Sequence, residues 1–475
     1  MKAAEHRRTL VSVAYPIYCE LLSGVVAGII NMVWVARLGG AAVAAVAVAT
    51  NVENLLLGVA LAAGSGTTVL VARASGAGDP AGLRAAVRGG WALWALITPT
   101  VATGGYLCRE PLAQLVLGGA DSDALALATD YFSIALPGIA VFFATNVVDG
   151  ILKGTGDTRT PMRLALLANG LILALDPWFI LGCDLGVRGA AIATVLGRTA
   201  ALICGCVVLR RSGTLRWAAD AHGRGTPTHG ASSLRRRARS LGRDARRTAA
   251  VGLPMSVDFV LRMTGALALV AVVARLGVAE AAGYGIATKA TYVATMAFYA
   301  VRQSAAIHTA RLLGAGRDER RAIGRQALLL AGALGAAASL TLLVAAPWIM
   351  RAFGAEGAVA AAGALCLRWL GPYLTLLACY IALGGVFEGS GDSSALARVT
   401  AVGVALQLGL AYGLSGAGLP GVCCAMAASM AVQCVAVAGR YRRTERPAFA
   451  RRHRRRPKTS ATVAEDTTPD GRTTP

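Results

Sequence analysis

Recognisable catalytic motifs are missing from this sequence. It has no Gly-x4-Gly-Lys-Ser/Thr loop to cradle phosphates, no HExxH zinc pair, no DDxxD and no Gly-x-Ser-x-Gly nucleophile turn. Gly154-Thr-Gly156 is therefore a turn and not an ATP site. Charge is scarce too: Asp, Glu, Lys and Arg together make up 15% of the chain, and aromatics only 6%. The ten cysteines lie mostly inside apolar runs, such as Cys204, Cys206, Cys379, Cys423 and Cys424, with no paired CxxC spacing. They read as small apolar filler rather than as a disulfide framework or a zinc site. The expectation is a protein that is not an enzyme and holds no metal or cofactor.

What is abundant is apolar residue. Of 475 residues, 55% are hydrophobic, and the mean hydropathy is +0.57. Many runs reach the ~20 residues that a helix needs to cross a bilayer. The 57 glycines fit this class, because small residues let membrane helices approach closely, and Gly24-x-x-x-Gly28 and Gly409-x-x-x-Gly413 predict such contacts. The net charge of +22 is concentrated in two places. Arg210 to Arg247 holds eleven Arg against two Asp, and Arg440 to Lys458 ten Arg or Lys against one Glu. Lying between and after apolar spans, these runs fit retention on the cytoplasmic face and attraction to anionic lipid better than nucleic-acid binding.

Twelve spans can be placed, at about 11–37, 46–73, 86–108, 124–150, 162–182 and 188–209, then 249–275, 281–310, 325–348, 358–386, 396–415 and 419–439. In lipid their interiors must be helical, since the backbone finds no other partners. With a basic, polar start over Met1 to Thr9, one orientation puts most short-loop cations inside, Arg73, Lys153 and Arg317 among them. Asp121, Asp123, Asp130, Asp184, Glu280 and Glu356 then fall outside, and both termini are cytoplasmic.

The chain is also doubled. Ala36-Arg-Leu-Gly39 returns as Ala274-Arg-Leu-Gly277, Lys153-Gly-Thr-Gly-Asp157 as Glu388-Gly-Ser-Gly-Asp392, and Pro16 and Pro137 as Pro254 and Pro372. The offset stays between 232 and 238. An even number of spans in each half gives the halves the same orientation, which is a secondary-transporter architecture with its substrate site between the repeats. The fold class expected is all-α integral membrane, with twelve transmembrane helices in two parallel-repeat six-helix lobes. The lobes take residues 1–209 and 248–440, joined by a basic cytoplasmic linker over 210–247 and followed by a disordered cytoplasmic tail over 441–475.

Several ordered motifs resemble the multidrug and toxin extrusion (MATE) family. They are Asn31-Met-Val-Trp-Val-Ala-Arg-Leu-Gly39 after Pro16, Leu70-Val-Ala-Arg-Ala-Ser-Gly-Ala-Gly-Asp79, and Lys153-Gly-Thr-Gly-Asp-Thr-Arg-Thr-Pro161. Asn169, Asp176-Pro177 and Leu185-Gly-Val-Arg-Gly-Ala-Ala-Ile-Ala-Thr194 complete the set, and the resemblance covers nearly all of 10–440. It implies a V-shaped, two-lobe exporter driven by a proton or sodium gradient. This sequence departs from the family pattern at Asn31, where the pattern usually has Asp.

The candidate site residues are the ionisable and amide groups inside apolar spans, where such groups are costly and by default functional. Asp176 precedes Pro177, which frees a backbone carbonyl, so it is either a proton carrier or a cap on broken backbone. Asn169 lies seven residues before it on the same helix face. Glu20 and Asn31 are eleven apart and also share a face. Asn31 cannot titrate, so Glu20 is the candidate to supply the acid in its place, unless it is merely solvated. Glu53, with Asn54, lines either the cavity or the outer interface. Asp258 and Arg262, at i and i+4, predict an ion pair. The resemblance adds that some sodium-coupled members carry an acid near the Arg262 position, so Arg there argues against a cation site in the second lobe.

The function expected is secondary antiport: export of small amphipathic or cationic molecules in exchange for protons or sodium, by a monomer in the cell membrane. The partners are then the small-molecule substrate and membrane lipid, with no nucleic acid. The alternative is a flippase or exporter of a lipid-linked saccharide precursor, disfavoured by twelve spans and by acids in the first lobe.

Overall fold

The computed structural model describes residues 3–117, 122–212 and 231–443. Most of the expected tail, part of the linker, and Asp121 lie outside the described residues. The described chain is helical, with no strand. The first half runs α1 (Ala3–Ala36), α2 (Gly40–Ala77), α3 (Pro80–Leu107), the short α4 (Arg109–Leu117), α5 (Ser122–Thr155), α6 (Arg159–Pro177) and α7 (Gly186–Arg211). The second runs α8 (Ala231–Ala274), α9 (Val278–Gly314), α10 (Arg320–Ala352), α11 (Gly357–Trp369), α12 (Gly371–Ser390), α13 (Ser393–Gly413) and α14 (Gly418–Arg443). Ten of the long helices are apolar enough to cross a membrane by length and composition. The chain is a multi-pass membrane protein. With α3, α9 and the α11–α12 pair counted as spans, the order is the twelve-helix one expected.

Three local outcomes differ from the sequence reading. The span expected over 358–386 is split at Leu370 into α11 and α12, whereas its counterpart α5 stays continuous through Pro137. The residue before Pro372 is Gly371, a poor helix former, while Leu136 precedes Pro137, and a proline removes a backbone donor in either place. Residues 231–247, expected to be linker, form the first turns of α8. The expected break at Asp176-Pro177 is instead a widening: α6 runs through Pro177 into a π-helical turn, Trp178–Gly182.

The two halves have separate apolar cores. One cluster gathers Phe298, Met350, Tyr380 and their neighbours in the second half, and another gathers Val35, Phe132, Phe143 and Ile180 in the first. They meet at the end of the bundle that carries the basic turns, hereafter the basic end. There Ala14 and Ile17 of α1 pack with Ala300, Ile307 and Ala310 of α9, and Leu10 of α1 joins the second-half core. Ser304 Oγ donates to the Leu10 carbonyl at 2.8 Å and Ser256 Oγ to the Gly58 carbonyl at 2.6 Å. Elsewhere along this seam backbone lies on backbone. A Cβ on Gly76 would overlap the Arg311 carbonyl, one on Gly252 the Ala62 carbonyl, and one on Gly314 the Arg73 carbonyl. The close contacts expected at Gly24, Gly28, Gly409 and Gly413 are not formed, since a Cβ there would meet nothing within 4 Å. A small-residue stripe permits close approach, but only an opposing helix realises it, and the far half of α1 has open space beside it.

Candidate functional site

The open stretch of α1 faces the most informative polar contact in the first half. Asn31 Nδ2 donates to Asp176 Oδ2 at 2.8 Å, tying α1 to the end of α6. Asp176 is 0% exposed, and its other oxygen, Oδ1, is buried without a hydrogen-bond partner. Asn169, two turns earlier on α6, donates to Ser23 Oγ at 2.8 Å. The two residues of α6 and the stripe of α1 therefore do come together. An amide leaves its carboxylate neighbour free to gain or lose a proton, whereas a fixed cation would lock the charge in place.

Glu20 is neither solvated nor close to Asn31. Its Oε1 accepts from Lys153 Nζ at 2.7 Å, and the two side chains are only 13% and 10% exposed. Lys153, which the sequence places among the inward loop cations, is instead buried in the last turn of α5. Asp149, one turn earlier on α5, sees the charges of both Lys153 and Glu20, yet its Oδ1 is buried without a partner. Asp149 is not singled out by composition or motif in the sequence. Its i, i+4 spacing to Lys153 was the available signal.

Glu53 belongs to the wall of the first half. Its Oε1 accepts from the buried Tyr131 hydroxyl at 3.1 Å, and its Oε2 lies 3.9 Å from Arg198. Arg198 in turn stacks over Phe142, 4.4 Å from the ring centre. Asn54 is exposed.

In the second half Asp258 and Arg262 are in contact, with Nη2 to Oδ2 at 2.6 Å, but they are not a private pair. Arg302 Nη2 also donates to Asp258 Oδ2 at 2.7 Å and to Glu388 Oε1 at 2.5 Å, and the Thr400 hydroxyl caps Asp258 Oδ1. Asp258 is 0% exposed and Arg302 and Glu388 are buried with it. In the sequence Glu388 only opens a repeated turn. What sequence alone could not supply is that α8, α9, α12 and α13 bring these groups to one point. Two buried acids out of reach of water call for two cations beside them, and the network supplies them.

His308 lies with its Nε2 3.0 Å from His6 Nδ1 at the basic end of the seam, and His6 Nε2 is 2.8 Å from Glu319 Oε2. Among the described residues no group of three or more His, Cys, Asp or Glu side chains is arranged to hold a metal ion.

Comparison with known proteins bears on this doubled helical arrangement. The chain is 24% identical over 400 residues to a probable multidrug resistance protein NorM of Thermotoga maritima, covering 82% of this chain and 81% of that one. It is 25% identical to an FAD transporter of Shewanella oneidensis, over 68% of each chain. Among solved structures, a MOP superfamily transporter from Pyrococcus furiosus superposes with a TM-score of 0.81 at 22% identity, covering 92% of this chain and 96% of that one. An outward-facing multidrug resistance MATE family transporter gives 0.82 at 22%, with the same coverage. The MatE family model matches residues 16–178 and 254–413, once in each half, on the same doubling that the repeated turns and the two cores display. The chain belongs to the MatE family.

Proposed function

We propose that this transporter is a proton-driven antiporter exporting small amphipathic or cationic molecules, with Asp176 as the proton carrier. The observation that carries the reading is the carboxyl of Asp176, buried, held on one oxygen by the neutral Asn31 and without a partner on the other. A buried acid that no cation fixes can bind a proton from one side of the membrane and release it to the other as the cavity changes its opening. The second half supports the same assignment by contrast, because Arg262 and Arg302 are ion-paired with its two acids. The walls of the first half, with Tyr131, Phe142 and Glu53, suit an aromatic or cationic solute.

With the basic end in the cytoplasm, by the positive-inside bias, the seam closes the inner side and the substrate path opens outward. Relatives named as multidrug resistance proteins favour drug-like solutes over the lipid-linked saccharide alternative. Proteoliposomes loaded with a fluorescent cationic dye test the reading. An imposed pH gradient should drive dye movement, and Asp176→Asn should abolish it without loss of folded protein. Transport driven by a sodium gradient alone, at symmetric pH, would overturn the choice of ion.

A further inference from the structure

A small cleft of about 80 Å³ lies between the halves, near the basic end of the seam. Asn146, Asp149 and Lys153 of α5 face it from the first half, and Gln303 of α9 and Glu388 of α12 from the second. Glu20 stands behind Lys153, and Asp258 with Arg262 stands behind Arg302 and Glu388. The charges in this connected group do not balance. The acids are Glu20, Asp149, Asp258 and Glu388, and the cations Lys153, Arg262 and Arg302, so the sum is 3 − 4 = −1.

The deficit can be placed on one residue. Glu20 has Lys153, and Asp258 and Glu388 share the two arginines. Arg73 of α2, whose end borders this region, is held on the carbonyls of Gly389 and Ser390 at 3.3 and 3.0 Å. The other residues of α2 and α8 that line the cleft, Ser65, Thr68 and Met255 among them, carry no charge. Asp149 is left with neither an ion-pair partner nor a hydrogen bond to its buried Oδ1. An uncompensated carboxylate in such surroundings takes up a positive charge from outside.

We propose that Asp149 is a cation-loading site at the seam, taking one proton or one monovalent metal cation, separate from Asp176. Because residues of both halves line the cleft, opening the seam changes what Asp149 faces, so its load is tied to the conformation of the transporter. Lys153 sets the occupancy: it is held by Glu20, and were it to turn to Asp149 it would displace the load and leave Glu20 to be filled. The purpose of the site rests on the reading of this chain as a cation-coupled exporter; its occupancy does not.

The test uses the full-length protein in lipid nanodiscs at neutral pH, comparing wild type with Asp149→Asn, Asp176→Asn and Lys153→Met. The readouts are the infrared carbonyl band of protonated carboxyls and calorimetric binding of sodium, with choline chloride as control. If the load is a proton, Asp149→Asn removes a protonated-carboxyl band that Asp176→Asn leaves in place, and sodium changes nothing. If it is sodium, wild type and Asp176→Asn bind sodium and Asp149→Asn does not. In either case Lys153→Met, which makes the cleft more negative without touching Asp149, should add a protonated carboxyl or strengthen sodium binding. An Asp149→Asn protein that matches wild type in both readouts overturns the proposal, as does a Lys153→Met protein that matches it when Asp149→Asn does not fold. Neither result depends on dye flux, so loss of gradient-driven export in wild type would sink the exporter reading alone.

Discussion

The two halves descend from one pattern, yet their equivalent positions carry different chemistry. With the offset 258 − 20 = 238 for the first two spans of each half, Glu20 corresponds to Asp258, but Gly24 and Gly64 correspond to Arg262 and Arg302. With the offset 388 − 153 = 235 for the fourth and fifth, Lys153 corresponds to Glu388, a reversal of sign. The same offsets place Leu269 and Ala411 where the first half has Asn31 and Asp176. Both are fully packed in the second-half core. One half thus has its acids fixed by guanidinium groups, while the other keeps an acid next to an amide. The second half is built as a charged clamp, and the first leaves Asp176 with only a neutral amide beside it.

The clamp should give the largest effect when broken. Asp258→Ala strands Arg262, while Arg302 keeps Glu388. Leaving a buried charge unpaired costs about 3–5 kcal/mol. The single variant should therefore lose most of its folded yield, and Asp258→Ala with Arg262→Ala should recover much of it. Size-exclusion yield and melting midpoint in detergent measure both, and equal values for the single and double variants would show that the network is not a clamp.

The first-half pair should respond in the same direction but less. Lys153→Met leaves Glu20 without its cation in a setting that is slightly more open, at a cost of about 1–3 kcal/mol. Changing Glu20→Gln as well should restore the melting midpoint. A Lys153→Met protein as damaged as Asp258→Ala would erase the difference between the halves.

A third change sharpens the comparison through protonation. Asn31→Asp puts a second carboxyl against Asp176, where the present contact is 2.8 Å. Two carboxyls that close share a proton, and the pair then gives it up at higher pH than either acid would alone. The alkaline limit of dye export should move upward, read from flux at a series of symmetric internal pH values. The same change combined with Glu20→Gln tests the Glu20 assignment: if Glu20 carries coupling protons, Asn31→Asp should restore part of the export that Glu20→Gln loses. If Glu20 serves only to hold Lys153, Glu20→Gln leaves coupling near wild type.

The smallest effect lies outside the spans. A hydrogen bond from Arg320 holds Asp318 below its ordinary range, with Oδ2 to Nη2 at 2.7 Å. A carboxyl depressed in the folded state adds stability above its unfolded pKa, and that stability fades as pH falls through the depressed value. Asp318→Asn should therefore narrow the loss of melting midpoint on acidification by a small amount, and should leave dye flux unchanged.

Span number, the doubling and the polar faces of α1 and α6 were legible in the sequence, because hydropathy, repeated turns and helical spacing are local or periodic signals; that the two faces meet, through Asn31 and Asp176, is a property of the packing. The partners of Glu20 and Asp258 were not. Lys153 sits at the end of an apolar run and looks like a loop cation, and only the packing of α5 on its neighbours shows that it is buried. The convergence of Arg302 with Glu388, 86 residues away, is a property of tertiary packing. Gly24 and Gly28 show the converse: a local pattern predicted contact, and the structure has open space beside it.

The glycine seam has a kinetic meaning. Where Gly76 lies on the Arg311 carbonyl and Gly252 on that of Ala62, the contact is made largely by main chain, which has no rotamers to lose on closing or recover on opening. Such a surface acts as a dry bearing. At these points, parting the seam exchanges dispersion contacts of modest size and leaves side-chain entropy almost unchanged, so they add little to the free-energy gap between closed and open arrangements. A transporter that must visit both in every cycle gains more from a shallow seam than from a strong one. A single methyl at Gly252 would then act as grit in the joint, biasing the cycle toward the open basic end.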